Sequence, residues 1–122
     1  MIDVGLSTTP TVEMEVVRHK AQGGIILTAS HNPKEWNALK LLNEKGEFLD
    51  AENGQQINNI SKNLSSVTFA TVNELGAICI ETDAMQHHID AVLDLPLVDV
   101  ELIKSRGLTA VVDGVNSSGG IA

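Results

Sequence analysis

Residues 24–29 read Gly-Ile-Ile-Leu-Thr-Ala, an apolar, β-rich run with little polar relief. Successive side chains of a strand point to opposite faces, so such a run puts apolar groups on both sides and calls for cover on both. That is the pattern of a central strand in an α/β sheet. The segment before it supplies a covering layer. Thr-Thr-Pro at 8–10 reads as an N-cap followed by proline at the first helical position, where the missing N–H costs nothing, so a helix begins near Pro10. Through residues 11–22, Val12, Met14, Val16, Val17 and Ala21 take one broad arc, while Glu15, Arg18, His19 and Gln22 take the other. Gly23 and Gly24 end the helix, and the strand runs on to Ser30 at its carboxyl end.

The rest of the chain keeps this alternation. MIDVGLS opens as a short strand, and ALKLLNEKGEFL has two apolar runs around Glu44-Lys45-Gly46, with glycine where a hairpin needs positive φ. The partner strands should be antiparallel. Asp50 caps a third element in which Ile57, Ile60 and Leu64 make a narrow buried stripe. Loop and extended material follows over 65–81. Then come a helix aligning Met85, Ile89, Val92 and Leu93, and a short helix closed by Gly107. LTAVVDGVNSSGGIA reads as a buried strand, Leu108 to Asp113, running into a glycine-rich turn. With 122 residues and 43% apolar content there is material for one core but not for two full domains, so the expectation is one α/β domain. Both ends look cut, the last strand needing a covering helix that does not arrive.

Charge and cysteine content narrow the function classes. Sixteen Asp and Glu against eight Lys and Arg give a formal charge of −8 with no basic cluster, which argues against nucleic acid or an anionic membrane as partner. The single Cys79 precludes an internal disulfide, and a reducing cytoplasm is the default compartment.

Chemistry concentrates at LTASHNPKEWNALK, residues 27–40. Ligands of open α/β sheets bind beyond the carboxyl ends of strands, which is where the Ser30 hydroxyl stands. The competing reading is a simple turn-forming serine. His31 is a poor general base for Ser30, since adjacent side chains in extended backbone point apart. The flanking Thr-Ala also lacks the glycines of a hydrolase nucleophile elbow.

TASHNPKEWNALK resembles the phosphoserine loop of the α-D-phosphohexomutases, the family of phosphoglucomutase, phosphomannomutase and phosphoglucosamine mutase. GLSTTPTV resembles the strand-to-helix segment that precedes that loop, and VVDGVNSSGG the strand that opens the second domain. One departure is Ala38, where many members have glycine after the asparagine; a non-glycine residue does not so easily take positive φ. The resemblance implies a three-layer α/β/α domain with a mixed sheet, with domain I over 1–106 lacking its extreme N-terminus and domain II beginning at 107–122. It implies Ser30 as carrier of a phosphoryl group moved between the 1 and 6 positions of a hexose or hexosamine phosphate through a 1,6-bisphosphate, which also acts as activator. Lys40 is then a general acid or base, His31 a positioner of substrate or phosphate, and Asn32 and Asn37 phosphate or substrate neighbours. Mg²⁺ would be held by the phosphate on Ser30 and by aspartates of an Asp-x-Asp-x-Asp loop, a string absent from this chain; Asp113 is not part of it. A fragment of this kind is expected to be inactive alone, with the missing domains of the parent as its partners. Overall resemblance leans to glucosamine or mannose phosphate as substrate.

Other residues carry competing readings. Asp83, His87 and Asp90 at i, i+4 and i+7 have a spacing that metals accept, although a solvated acidic face is the more ordinary outcome. His88 should border the core, Cys79 should be a small buried hydrophobe, and Trp36 should pack the active loop. Ser117 to Gly120 sit where a phosphate is sometimes cradled, but NSSGG is neither a P-loop nor a dinucleotide fingerprint. Besides the mutase reading, two others stand: a noncatalytic sugar-phosphate binding or interaction domain of the same fold, and a metal-binding module built on the histidine-rich helix.

Overall fold

The computed structural model describes residues 1–121. It is an α/β arrangement of four short strands and four helices: β1 (Ile2–Asp3), α1 (Thr9–Arg18), β2 (Gly24–Thr28), β3 (Ala38–Leu42), α2 (Ala51–Lys62), β4 (Cys79–Ile80), α3 (Ala84–Leu93) and α4 (Val100–Ser105). Strand directions are mixed, but they form two separate ladders. β1 pairs parallel with β4, and β2 pairs antiparallel with β3 in the register Thr28↔Ala38 to Gly24↔Leu42.

Local signals set the element ends. Thr8 caps α1, accepting the Thr11 N–H, so Pro10 falls at the second helical position, one later than the sequence suggests. Asp50 Oδ1 accepts the Asn53 N–H at 2.8 Å and starts α2. Gly107, at φ +55°, follows the end of α4. After β3 the chain turns through Gly46 and returns antiparallel, with Leu42 bridged to Phe48.

The small core lies between α1 and the β2–β3 hairpin: Val16, Ile26 and Leu42, with Val12 and Ala21 packed on them. Two glycines permit it. A Cβ on Gly24 would stand 2.7 Å from Val16 Cγ2, so the helix settles directly on the strand. Gly46 has φ +77° and its Cβ would stand 2.3 Å from the Glu13 carbonyl oxygen. Gly46→Ala therefore combines a left-handed cost of about 1–2 kcal/mol with a backbone collision. We expect a loss of at least about 2 kcal/mol, read as a lowered urea midpoint with unchanged slope.

Several expectations from sequence are corrected. Glu15, assigned to the solvent arc of α1, is 4% exposed, whereas Val17 is half exposed. The helix packs on two neighbours, β2 through Val12 and Val16 and α3 through Thr11 and Glu15, and that turns its buried arc toward Glu15. β2 is covered on one face only, with Ile25 and Leu27 largely exposed. The Ile57, Ile60 and Leu64 stripe is likewise exposed, because α2 buries none of its residues. Cys79 is exposed rather than buried, on a β4 that is only two residues long and exposed at both. Leu108 to Asp113 form no strand, no partner backbone being paired with them, and Val111 is 95% exposed. His88 does border the interior, with Nδ1 2.9 Å from the fully buried Thr11 Oγ1. No helix among the described residues is long and apolar enough to cross a membrane.

Candidate active site

The ladder between β2 and β3 closes at Thr28↔Ala38, so residues 29–37 form a loop held at both ends by paired strands. Ser30 is the second residue of that loop and is exposed. Its backbone is left-handed, φ +52°, which a non-glycine residue adopts at a cost of about 1–3 kcal/mol. The Thr28 hydroxyl helps to hold it there, accepting the Ser30 N–H at 3.0 Å. The loop is braced further by Asn32 N–H to the Ala29 carbonyl at 3.0 Å and Trp36 N–H to the Pro33 carbonyl at 2.9 Å.

This geometry revises the relation of Ser30 to His31. Because Ser30 is not extended, the two side chains do not diverge, and His31 Nδ1 lies 3.5 Å from Ser30 Oγ. That is the outer edge of hydrogen bonding, a contact that can orient and not the tight pair of a nucleophile and its base. Asn37 is spent on the loop itself, Oδ1 accepting the Ala38 N–H at 3.0 Å. Ala38 is an ordinary strand residue opposite Thr28, so a glycine's positive φ is not needed there. Trp36, expected to pack the loop, is 63% exposed instead.

Lys40 pairs with Ile26 on β3, two residues below the loop mouth, roughly 7 Å along the strand. Cross-strand partners share a face, so Lys40 lies on the same side as Ile26 and Thr28, the side that α1 covers. Its Nζ rests 5.6 Å from the centroid of the Phe48 ring, within cation–π range. Ser30, His31 and Asn32 are thus brought together at the tip, while Lys40 sits at the stem.

Beside the loop mouth opens a cleft of about 950 Å³. Thr8 and Thr9 from the start of α1, Thr28 from the end of β2, and Asp113, Asn116 and Ser117 from the C-terminal turn contribute to its walls. The segments GLSTTP and VVDGVNSSGG therefore meet at one strand end. The sequence marks each as a turn rich in hydroxyl groups or glycine, but only the fold shows that they share a wall. Asp113 is occupied locally, Oδ1 accepting the Val115 N–H at 2.9 Å. For a magnesium ion, the loop of Ser30 supplies one acidic residue, Glu35, and the group of metal-ligand types found among the described residues lies on other elements. The residues present around Ser30 do not by themselves build a cage for that ion.

The family model described as phosphoglucomutase/phosphomannomutase, alpha/beta/alpha domain I, matches residues 1–68. The chain belongs to the phosphoglucomutase/phosphomannomutase family. Among its relatives, a phosphoglucomutase/phosphomannomutase of Thermococcus kodakarensis is 37% identical over 99% of this chain and 26% of its own length. A phosphoglucosamine mutase of Methanococcus aeolicus is 32% identical over all of this chain and 25% of its own length. One of Clostridium novyi is 30% identical over 96% of the chain and 25% of its length. The chain spans about a quarter of the length of these curated relatives. Family membership and the α/β/α class agree with the family resemblance and the fold class expected from the sequence.

Proposed function

We propose that this chain is the phosphoserine-bearing part of a phosphohexomutase, with domain I over 1–106 and domain II starting at 107–122. The observation that carries the reading is Ser30: an exposed hydroxyl at the carboxyl end of β2, in left-handed backbone, beside an open cleft with hydroxyl-bearing walls. In the resting enzyme Ser30 Oγ carries the phosphoryl group. A sugar hydroxyl attacks phosphorus, the bond to Ser30 Oγ breaks, and the hydroxyl proton leaves to a base. The bisphosphate then reorients and returns its other phosphoryl group to Ser30 Oγ, freeing a hydroxyl that takes up a proton. His31 orients the seryl oxygen from its 3.5 Å contact, Asn32 and Asn37 line the loop that the phosphate approaches, and Lys40 supplies the positive charge and proton transfer. Phosphorylation adds about −1.5 to −2 of charge to a chain already at −8, so cations are needed. Mg²⁺ would join the Ser30 phosphate, its carboxylates coming from outside this chain. The substrate class is a hexose or hexosamine phosphate.

A second reading, a noncatalytic sugar-phosphate binding domain of the same fold, draws on one observation: the Lys40 ammonium rests on Phe48 and not at Ser30. One experiment separates the two. In a chimaera that joins this chain to the remaining three quarters of an archaeal relative, exposure to glucose 1,6-bisphosphate should give a single phosphate adduct, mapped to the peptide containing Ser30. An unmodified Ser30 would favour the noncatalytic reading. The chain by itself is expected to show no steady-state mutase turnover, because positioning and charge stabilisation supply most phosphoryl-transfer catalysis and this chain spans a quarter of its relatives.

A further inference from the structure

Two polar contacts join α1 to α3. In the first, the Arg18 guanidinium bonds Glu15 at 3.2 Å, Glu81 at 2.9 Å and both ring nitrogens of His87 at 3.0 Å. His87 is thereby drawn to α1, and the Asp83, His87, Asp90 face considered from sequence is not assembled: Asp90 bonds Gln86 at 2.7 Å, and Asp83 makes no side-chain cap. None of the residues in this ion-pair network lines the cleft beside Ser30. The second contact does reach that cleft. Thr11 is wholly buried, and its hydroxyl stands 2.7 Å from Thr8 Oγ1 and 2.9 Å from His88 Nδ1. Three side chains thus make a line from α3 through the interior to Thr8 in the cleft wall.

The direction of this line follows from counting protons. The Thr11 hydroxyl has one to give and three acceptors in reach: His88 Nδ1, Thr8 Oγ1 and, at 3.8 Å, Met85 Sδ. A thioether sulfur is a weak acceptor, and Thr8 Oγ1 already takes the Thr11 N–H at 3.4 Å. His88 Nδ1 has no other partner among the described residues, so Thr11 donates to His88. Two hydroxyl oxygens 2.7 Å apart need a proton between them, and Thr8 supplies it to Thr11. The Thr8 proton is then turned inward, and what its oxygen has left for the cleft is a lone pair. The remainder of the wall has the same polarity. Among the described residues lining the cleft there is no lysine, arginine or histidine, and the one ionised side chain is Asp113, whose Oδ1 takes the Val115 N–H and whose Oδ2 is left over.

We infer that this cleft seats the uncharged sugar ring and reads its hydroxyl groups, while the phosphate is left to the Ser30 loop; Thr11 and His88 are positioning residues that fix Thr8 as an acceptor. A wall of acceptors without a cation disfavours phosphate and receives hydroxyl protons. Leu27 and Val112 beside it offer apolar surface to the C–H groups of a ring, the usual mixture of a small-molecule site. The inference rests on the phosphohexomutase reading and adds to it the division of the substrate between cleft and loop.

The test titrates this chain with methyl α-D-glucopyranoside and, separately, with inorganic phosphate at constant ionic strength, following the threonine methyl groups by NMR. The glucoside should shift the Thr8, Thr9 and Thr28 methyls saturably, and phosphate should neither shift them nor compete. Thr11→Val keeps the buried shape but removes the hydroxyl, and should weaken glucoside binding about 3- to 10-fold, the worth of one neutral hydrogen bond. Thr11→Ser restores the hydroxyl and should restore binding. The ¹⁵N spectrum of His88 in the unmodified chain gives a reading free of any variant: in the neutral imidazole the proton should be on Nε2, with Nδ1 accepting. A ring proton on Nδ1, a glucoside that does not bind, phosphate that displaces it, or full-strength binding in a folded Thr11→Val chain each overturns the inference. Should Thr11→Val fail to fold, the His88 spectrum and the phosphate competition still decide. The Ser30 adduct in the chimaera is a separate readout: an adduct without glucoside binding sinks this inference alone, and glucoside binding without an adduct sinks the mutase reading.

Discussion

Replacing Ser30 by alanine is expected to abolish phosphoryl transfer while leaving the fold intact. Both halves of that result follow from the loop. The Ser30 side chain is exposed and its Oγ makes only the 3.5 Å contact with His31, so its removal forfeits little packing. The left-handed backbone is strained in serine and alanine alike, and the Ser30 N–H bond to Thr28 does not need the side chain, so stability should stay within about 1 kcal/mol of the parent. No neighbour can inherit the role. Thr28 lies two residues back in β2, partly buried, with its hydroxyl engaged by the Ser30 N–H. In the archaeal chimaera, steady-state rates on glucose, mannose and glucosamine phosphates should all vanish, and the phosphate adduct with them. Retention of even about a tenth of the parent rate would show that Ser30 is not the carrier.

Lys40→Met should slow the reaction without extinguishing it. The substitution deletes a proton-transfer group, whose contribution is typically about 10²- to 10⁴-fold, together with a positive charge two residues below the loop mouth. The structural cost is small. Methionine keeps the length of the stem over Phe48, and the cation–π contact it replaces is worth about 0.5–1 kcal/mol at an exposed site. The Ser30 adduct from glucose 1,6-bisphosphate should still form, more slowly, because the nucleophile is untouched. A Lys40→Met rate equal to that of the parent would assign the lysine to the stem of the hairpin alone, where the structure shows it resting on Phe48.

What could be read from the sequence was what local chemistry determines. The Thr8–Pro10 helix start, the Asp50 cap, the glycine turn at Gly46 and the stop at Gly107 each depend on a few adjacent residues, and each is found within about one position of its expected place. Side-chain surroundings were a different matter. Hydrophobicity alone put Glu15 in solvent, since nothing in TVEMEVVRHK announces that Glu81 and His87, more than sixty residues away, close over it. The same limit applies to α2, whose apolar stripe presupposed a neighbour, and to Leu108–Asp113, whose strand presupposed a partner. At the site, Ser30 and its surroundings stood out by type and spacing. The approach of His31 did not, because it depends on one left-handed residue that the sequence gives no glycine to signal.

The two strand ladders differ in the length of chain that each must close. Between Thr28 and Ala38 lie the nine residues of the loop, whereas Ile2 meets Cys79 across 76. Loop-closure entropy grows with the logarithm of length, so bringing β1 to β4 costs roughly 2 kcal/mol more than bringing β2 to β3. The hairpin bearing Ser30 and Lys40 is thus positioned to form early in folding, with α1 docking on it from the adjoining stretch of chain. The longer-range pairings, β1 with β4 and α1 with α3, are made afterwards. Residues 1–50 hold the strands and the helix that shape the serine loop, whereas Glu81 and His87, which close over Glu15, lie more than thirty residues further along the chain.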